Sequence, residues 1–270
     1  QDTPEPPFTL GMELSGVVED TGPGVTDLAP GHRVAVFSGQ GGLAEAGVFD
    51  AARAVQIPDR MPHEIAAGFL VAYGTSHLAL TRRAALARGE RLLVLGAAGG
   101  VGLTAVELGA AMGAEVIAVA RGARKLDVAR SAGATHLIDA ETEDLKAEIR
   151  ALGGADVVYD AVGGAAFDAA LRATRPEGRI LTIGFASGTV PKIPANILLV
   201  KNITVTGFYW GGYLGFAPDV LAAGLSELME LYVDGRIAPH VGATFPLDRA
   251  GAALDLLRQR QSTGKVVVTI

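Results

Sequence analysis

The chain contains no cysteine among its 270 residues. This absence excludes disulfides, thiolate metal sites and cysteine nucleophiles together. The five histidines are scattered without ligand spacing, so they do not compensate for the missing thiolates: His32, His63, His77, His136 and His240. We therefore expect no metal site.

The chain also lacks an excess of positive charge and a long hydrophobic run. Lys and Arg number 23 against 29 Asp and Glu, which gives a net charge of -6 and argues against a nucleic-acid partner. The longest apolar stretch, 92–106, stops at Glu107, well short of a membrane span, and no signal-peptide pattern opens the sequence. We expect a cytoplasmic protein that contacts neither nucleic acid nor membrane.

Several catalytic motifs are missing as well. The sequence has no Gly-x-Ser-x-Gly elbow, no His-Glu-x-x-His helix and no P-loop lysine, and its carboxylates form no obvious acid/base pair. The sequence therefore shows no hydrolase nucleophile, no metal-binding motif of a metalloprotease and no phosphate-binding loop of a P-loop nucleotidase. The remaining possibility is a reaction carried out by a bound cofactor, which the protein orients and shields from water.

Glycine, by contrast, is abundant at 36 residues, and the pattern around it divides the chain. Up to about residue 59, short β-type runs alternate with Gly/Pro/Asp turns, which is typical of a small antiparallel β domain. From 62 to 207, apolar strands alternate with amphipathic helices, and the strands at 92–95 and 116–119 are continuously apolar. This pattern predicts an α/β fold with a doubly wound parallel sheet of the Rossmann type. A helix at 218–233, a strand at 243–245, a helix at 248–260 and a last strand at 265–270 are predicted to return the chain to the first domain.

The most informative segment is the glycine turn that follows the strand at 91–95. Its sequence, Gly96-Ala97-Ala98-Gly99-Gly100-Val101-Gly102, leads from a strand into a helix, as in dinucleotide-binding proteins. Gly99 would let the backbone approach a pyrophosphate, and the N–H groups of Gly100 and Val101 would donate to it. Gly102 would let the helix and strand pack closely. A merely structural turn is the alternative.

The end of the next strand indicates which dinucleotide would bind. NAD-binding proteins carry an Asp or Glu there for the adenosine ribose, whereas this chain has Ala120-Arg121, with Lys125 one helical turn further on. Arg121 and Lys125 are suited to a 2′-phosphate, so we predict NADPH as the cofactor. The alternative is a solvated helix start, although basic residues are unfavourable at a helix N-terminus unless an anion is near.

Two other segments are candidates for the cofactor or substrate pocket. Gly184 and Phe185 follow a predicted strand and would line the nicotinamide side, or they form a plain β-to-α turn. The segment 208–213 follows the last sheet strand and contains Phe208, Tyr209 and Trp210. It is either a wall for a flat substrate or packing between two domains.

A resemblance to a known family rests on three segments taken together: Gly11-Met12-Glu13-x-x-Gly16, the glycine turn and Ser262-Thr263-Gly264-Lys265. The chain resembles the zinc-free branch of the medium-chain dehydrogenase/reductase superfamily, specifically the NADPH:quinone oxidoreductases (zeta-crystallin-like). Zinc alcohol dehydrogenases of that superfamily have a histidine where Met12 stands and cysteine ligands nearby.

The resemblance implies a GroES-like catalytic domain, 1–73 and 212–270, around a Rossmann domain, 74–211, with NADPH in the cleft between them. It also implies cofactor contacts at Thr75, in the turn from Ala98 to Gly102, at Lys125 and at Lys265. Ala140 departs from the family, whose members often carry a tyrosine beside the adenine. The first domain is expected to be N-terminally incomplete at Gln1, because relatives carry several dozen residues before that point. Those residues include an Asn and a Tyr of the nicotinamide and quinone pocket, so no catalytic residue is named.

The function expected from these features is NADPH-dependent transfer of hydride to a quinone. An alkenal or enone double-bond reductase is the alternative among enzymes, and a crystallin-like or VAT-1-like cofactor-binding protein with little turnover is the alternative outside them. We also expect a homodimer that pairs the unguarded edge strand at 203–207 with its copy across a twofold axis.

Overall fold

A computed structural model describes residues 5–142 and 144–270 of the chain. Three sheets organise this part of the molecule: one of three strands, one of two and one of six. Residues 1–4, with which the predicted first domain begins, lie outside the described residues, as does Glu143.

The three-stranded sheet is antiparallel, as the sequence predicts. It consists of β1 (Glu13–Val17), β2 (Arg33–Phe37) and β3 (Ala54–Gln56), with β2 in the middle. The sequence predicts these strands at Leu14–Glu19, Arg33–Phe37 and Ala54–Ile57, and each observed strand begins and ends within two residues of those bounds. Glycines with positive φ occupy the turns, for example Gly24 (φ 87°) and Gly31 (φ 90°) between β1 and β2. The turns explain why the strands remain short.

Two helices that the sequence analysis does not predict connect this sheet to the next one. They are α1 (His63–Ala66) and α2 (Leu70–Leu78), and a π-helical turn, Ala79–Arg83, continues α2. All residues of α2 except Val71 are buried. A helix buried on every side carries no apolar stripe, and this is why periodicity did not reveal it.

The six-stranded sheet is parallel throughout and has the order β6-β5-β4-β7-β8-β9. Its strands are β4 (Arg91–Leu95), β5 (Glu115–Ala120), β6 (His136–Asp139), β7 (Ala155–Asp160), β8 (Thr174–Thr182) and β9 (Thr204–Gly207). The connecting helices are α3 (Gly100–Ala111), α4 (Gly122–Ser131), α5 (Leu145–Ala151), α6 (Gly164–Ala173) and α7 (Ala195–Lys201). The doubly wound parallel sheet predicted from the sequence is confirmed.

One strand of this sheet begins earlier than predicted. The sequence places a helix up to about residue 175 and a strand from 179, whereas β8 begins at Thr174 and contains a register shift against β7. Glu177 adopts a φ of 63° within it. Left-handed backbone at a non-glycine residue interrupts the alternation by which strands are recognised.

The C-terminal part forms the smallest sheet. After α8 (Tyr213–Phe216) and α9 (Pro218–Val233) come β10 (Val241–Pro246), α10 (Ala250–Arg258) and β11 (Lys265–Thr269). Among the residues that the structure describes, β10 and β11 pair in parallel with each other and with no strand of the other two sheets. Gly264, just before β11, instead forms an isolated bridge with Gly99 of the glycine turn.

The hydrophobic core lies on both faces of the parallel sheet. Leu92 and Val94 of β4 point into one cluster, and Leu93 and Leu95 point into the other. The first cluster also takes in Ala35 of β2, so a single core joins the β-rich part to the parallel sheet. In the described ranges, no helix is both long and apolar enough to cross a membrane.

The predicted domain boundaries fall inside helices of the structure. The division at 73/74 cuts α2, and that at 211/212 cuts a 3-10 turn, Trp210–Gly212. The division into 1–73 plus 212–270 and 74–211 therefore stays a prediction.

A half-buried polar network holds the β-rich part against α1. The Ser15 hydroxyl donates to Val34 O (2.8 Å) and receives a hydrogen bond from His63 Nδ1 (2.8 Å). Arg33 Nε donates to His63 Nε2 (3.2 Å), so the imidazole is neutral with its proton on Nδ1. Burial, followed by the neighbouring Arg33 cation, lowers the pKa of His63 below its usual value.

This network predicts that mild acid destabilises the protein. A histidine with a lowered folded pKa binds more protons in the unfolded chain, so its contribution is present above the unfolded pKa, about 6.5, and is lost as pH falls below it. We expect urea unfolding midpoints to fall between about pH 7.5 and about pH 5.5. His63→Gln should make that fall shallower but not remove it, because the pKa values of His77 and His240 are lowered by burial as well. An equally steep fall in the variant would contradict the assignment.

Candidate active site

The predicted site residues gather at the carboxyl edge of the parallel sheet. The loops after β4, β5, β7 and β8 all lie there, because the strands run in the same direction. The chain order reverses between β4 and β7, which are neighbours in the sheet. In doubly wound sheets, ligands bind in the crevice beside such a reversal.

The glycine turn at this edge depends on the absence of side chains. Gly96 adopts a φ of 75°, and a Cβ placed on Gly102 would lie 2.2 Å from the Gly96 carbonyl oxygen. No real Cβ tolerates that distance, so a side chain at position 102 would force β4 and α3 apart. Close helix–strand packing is the role that the sequence assigned to Gly102.

The start of α3 is available to an anion. Gly99 is the extended residue before the helix, and the first intrahelical hydrogen bond runs from Leu103 N to Gly99 O (2.9 Å). Within the described ranges, no side chain caps this end, so the N–H groups of Gly100 and Val101 face the turn. A dinucleotide pyrophosphate fits this arrangement, because it supplies negative charge at the positive end of the helix. The Ala98 carbonyl accepts from Gly264 N (2.8 Å), and this bond fixes the turn from the C-terminal side.

A cluster of cations lies beyond the end of β5. Arg121 precedes α4, and Lys125 Nζ donates to the carbonyl of Arg260 (2.5 Å). Burial lowers the pKa of Lys125, and the nearby Arg121, Arg124 and Arg260 charges lower it further. In the part of the chain that the structure describes, no ion pair joins any of the four to a carboxylate. Concentrated positive charge that is not paired with a carboxylate is suited to a phosphate.

Arg260 was missed by the sequence analysis. It adopts a φ of 56°, and its guanidinium donates to Ala186 O (3.1 Å) in the loop after β8. Because 135 positions separate it from Lys125, only the fold brings the two residues together. Its place four residues before Gly264 of the recognised C-terminal motif was the available signal.

Asp160 at the end of β7 was not singled out either. It is fully buried, and its Oδ1 accepts from the N–H groups of Val162 (2.8 Å) and Gly163 (2.9 Å). Oδ2 has no partner among the described residues, and burial raises the pKa of the carboxyl group. The two hydrogen bonds hold the turn after β7 in a fixed shape next to the turn after β8.

Gly184 and Phe185 lie beside that turn. Gly184 N donates to Asp160 O (3.3 Å), and the Phe185 ring lies 3.2 Å from the position that a Cβ would take on Gly163. Phe185 is 41% exposed, so part of its ring faces outward. The two residues are thus placed at the expected edge, and their contact with a nicotinamide stays a prediction.

Thr75 is buried within α2, next to a hydrogen-bonded anchor. The Ser76 hydroxyl contacts Tyr159 OH (2.9 Å), Thr104 Oγ1 (2.8 Å) and the carbonyl of Val101 (2.9 Å). These bonds tie α2 to the start of α3 and to β7. Thr75 is therefore held on a rigid element close to the glycine turn, and the contact of its hydroxyl with a cofactor stays a prediction.

The aromatic segment divides into buried and exposed members. Phe208 and Trp210 belong to the core, where Trp210 covers Gly74 and packs edge-on against Phe37 (centroids 5.0 Å apart). Their burial favours the packing interpretation, and their predicted cofactor contacts stay predictions. Tyr209, in contrast, is 77% exposed at the carboxyl edge of β9.

Lys265 completes the set of predicted contacts. Its stem lies against the backbone of Gly100, and its ammonium group forms an ion pair with Glu13 (2.5 Å). No group of three or more His, Asp or Glu residues in the described ranges is placed to hold a metal ion.

Comparison with known proteins agrees with this architecture. Residues 1–59 match the model of the alcohol dehydrogenase GroES-like domain, and residues 100–229 match that of the zinc-binding dehydrogenases. A quinone oxidoreductase-like protein 2 homolog from Nematostella vectensis is 40% identical, over 99% of this chain and 75% of that protein.

Solved structures give the same result. The quinone oxidoreductase of Escherichia coli, in complex with NADPH, has a TM-score of 0.91 at 29% identity and covers 100% of this chain and 84% of its own. The quinone oxidoreductase of Thermus thermophilus, described alone and with NADPH, has a TM-score of 0.86 at 33% identity. The match covers 98% of this chain and 82% of that one.

The fold and the glycine turn define a two-domain oxidoreductase with a GroES-like and a Rossmann part. Within that class, the chain belongs to the quinone oxidoreductase-like family of the medium-chain dehydrogenases/reductases.

The glycine turn predicts a sharp difference between two glycine substitutions. Gly102→Ala should abolish measurable dinucleotide binding and lower stability by about 1–3 kcal/mol, because its Cβ meets the Gly96 carbonyl. Gly251→Ala is the matched control, since Gly251 lies on α10 with nothing within 4 Å of its Cβ position. Fluorescence titration and thermal unfolding measure both effects. Normal binding by Gly102→Ala would contradict the described turn.

Proposed function

We propose that the protein is an NADPH-dependent reductase that transfers hydride to a quinone. The observation that carries the proposal is the cation cluster at the end of β5, where an NAD-binding protein would have a carboxylate. The reduced nicotinamide, when bound, supplies the hydride. The protein binds and orients the cofactor and shields it from water.

The proposed binding mode uses the two ends of the crevice. The N–H groups at the start of α3 bind the pyrophosphate, while Arg121, Lys125 and the newly found Arg260 hold the 2′-phosphate. Ala120 leaves that position free of negative charge. Thr75, Gly184 and Phe185 are proposed to complete the site towards the nicotinamide.

The proposed acceptor is flat and apolar because of the residues that follow β9. Tyr209 is 77% and Phe216 is 70% exposed, and both rings lie within 4 Å of the Cβ position of Gly212. Exposed aromatic rings on either side of the turn at Gly211 and Gly212 provide a stacking surface for a planar ring system. The quinone oxidoreductases among the relatives support a quinone as that acceptor.

The direct test is to follow NADPH oxidation with a quinone and with an enone side by side. Faster turnover of the quinone supports the proposal. Preference for the enone would make the protein a double-bond reductase. Tight NADPH binding without turnover of either acceptor would instead indicate a cofactor-binding protein.

The cation cluster predicts a preference for NADPH over NADH. Lys125→Glu should narrow the difference in affinity, because one charge-assisted phosphate contact contributes about 1.5–3 kcal/mol, or roughly tenfold or more in Kd. Lys146→Glu, on α5 outside the cluster, is the control with the same charge change. Fluorescence titration of both cofactors is the measurement. Equal affinities in the parent protein would refute the preference.

The edge of the parallel sheet is the proposed dimer contact. The strand β9 ends the sheet, and Leu199 and Val200 on the preceding α7 are each 78% exposed. An open edge beside exposed apolar side chains favours pairing with a second copy across a twofold axis.

Sedimentation at micromolar concentration should therefore give a dimer of the 27.7 kDa chain. Val205→Pro should shift the protein towards monomer, because proline removes a strand N–H donor and disturbs the edge. Val48→Pro, in an exposed loop, is the control and should remain dimeric. A monomeric parent protein would overturn the proposal.

A further inference from the structure

The ion pair between Glu13 and Lys265 joins strands from the two ends of the chain. Glu13 Oε1 lies 2.5 Å from Lys265 Nζ, and the two side chains are 8% and 30% exposed. The second carboxylate oxygen of Glu13 accepts from Val71 N (2.9 Å) in the first turn of α2. Both oxygens are thus engaged, and the carboxylate is held in one place.

The stem of Lys265 is held separately from its charge. Its methylene groups lie 3.0 Å from the Cβ position of Gly68 on one side and 3.4 Å from that of Gly100 on the other. The N–H group of the preceding residue, Gly264, donates a hydrogen bond to the carbonyl of Ala98 in the glycine turn. Packing and backbone hydrogen bonds therefore hold the stem of Lys265 beside the start of α3 independently of Glu13.

The charges of the pair oppose one another at this place. An ammonium group beside the helix start attracts an anion, and a carboxylate in contact with the same ammonium weakens that attraction. The structure places the attracting group on β11 and the opposing group on β1. An anion approaching the start of α3 encounters both.

We propose that Glu13 is a positioning residue that limits the affinity of the site for the pyrophosphate of the cofactor. It fixes the direction of the Lys265 ammonium group and offsets part of its charge, so that reduced and oxidised cofactor both dissociate readily. This inference rests on the proposed NADPH-dependent function. It concerns strength of binding rather than choice of cofactor, which we assign to the separate cluster around Lys125.

A purely structural pair would behave in the opposite way. If Glu13 served only to tie β1 and α2 to β11, its removal would loosen Lys265 and weaken cofactor binding. If Glu13 offsets the charge of a lysine that packing already holds, its removal strengthens cofactor binding. The direction of the change distinguishes the two roles.

The experiment compares Glu13→Gln, Lys265→Gln and the double variant in the full chain. We expect Glu13→Gln to bind NADPH and NADP⁺ about threefold to tenfold more tightly at low salt, and the gain to shrink at high salt as the charges are screened. Lys265→Gln should bind more weakly than the parent protein. In the double variant, the gain from Glu13→Gln should disappear. Glu64→Gln, an exposed carboxylate on α1, is the control and should leave binding unchanged.

Two outcomes would contradict the inference, and they can be told apart. Unchanged or weaker binding by Glu13→Gln, with weaker binding by Lys265→Gln, would leave the cofactor site intact and refute the role of Glu13. A parent protein that binds no NADPH would refute the proposed function itself, and the inference with it. If Glu13→Gln does not fold, Glu13→Met removes the charge at similar volume, and its salt-dependent affinity decides in the same way.

Discussion

The contact between the carbonyl of Gly96 and the backbone at Gly102 is the constraint on which the site depends. It lets α3 begin directly behind β4, and therefore it sets where the first N–H groups of the helix point. The surrounding bonds take their positions from the same turn. The Ser76 hydroxyl donates to the carbonyl of Val101, and Gly264 N donates to that of Ala98, so both bonds are made to the backbone that follows this contact.

The balance of charged side chains differs from one part of the crevice to another. The end near β5 collects cations from α4 and from the segment before β11, and in the described part of the chain none of them forms an ion pair with a carboxylate. At the start of α3, in contrast, the single lysine is matched by Glu13. Asp160, between these regions and the exposed Phe185, is buried and shapes a turn through hydrogen bonds to the backbone. A dinucleotide would thus meet a strongly positive, a balanced and a largely uncharged region along its length.

Local patterns made much of this predictable from the sequence. The bounds of β4 and β5 and the glycine turn follow from residues that are neighbours in the chain, and α9 begins and ends where its apolar pattern does. The helix α2 could not be found in this way because it is buried on all sides. The contact of Arg260 with Lys125 and that of Glu13 with Lys265 could not be found either, since sequence separation of more than a hundred residues hides contacts that tertiary packing creates. The role of the aromatic segment could not be decided from the sequence, because Trp210 is buried and the neighbouring Tyr209 is exposed. No local pattern reveals that difference.

The bridge between Gly99 and Gly264 has a consequence for the order of folding. The parallel sheet and the turn can form from contacts between successive strands and helices, but the turn gains its hydrogen bond from the C-terminal part only when Gly264, 165 positions after Gly99, docks on it. Glu13 and Lys265, 252 positions apart, close the chain over a still longer loop. Loop-closure entropy disfavours the early formation of such long-range contacts. We therefore expect the part of the nucleotide site that depends on them to assemble after the sheet that carries the turn.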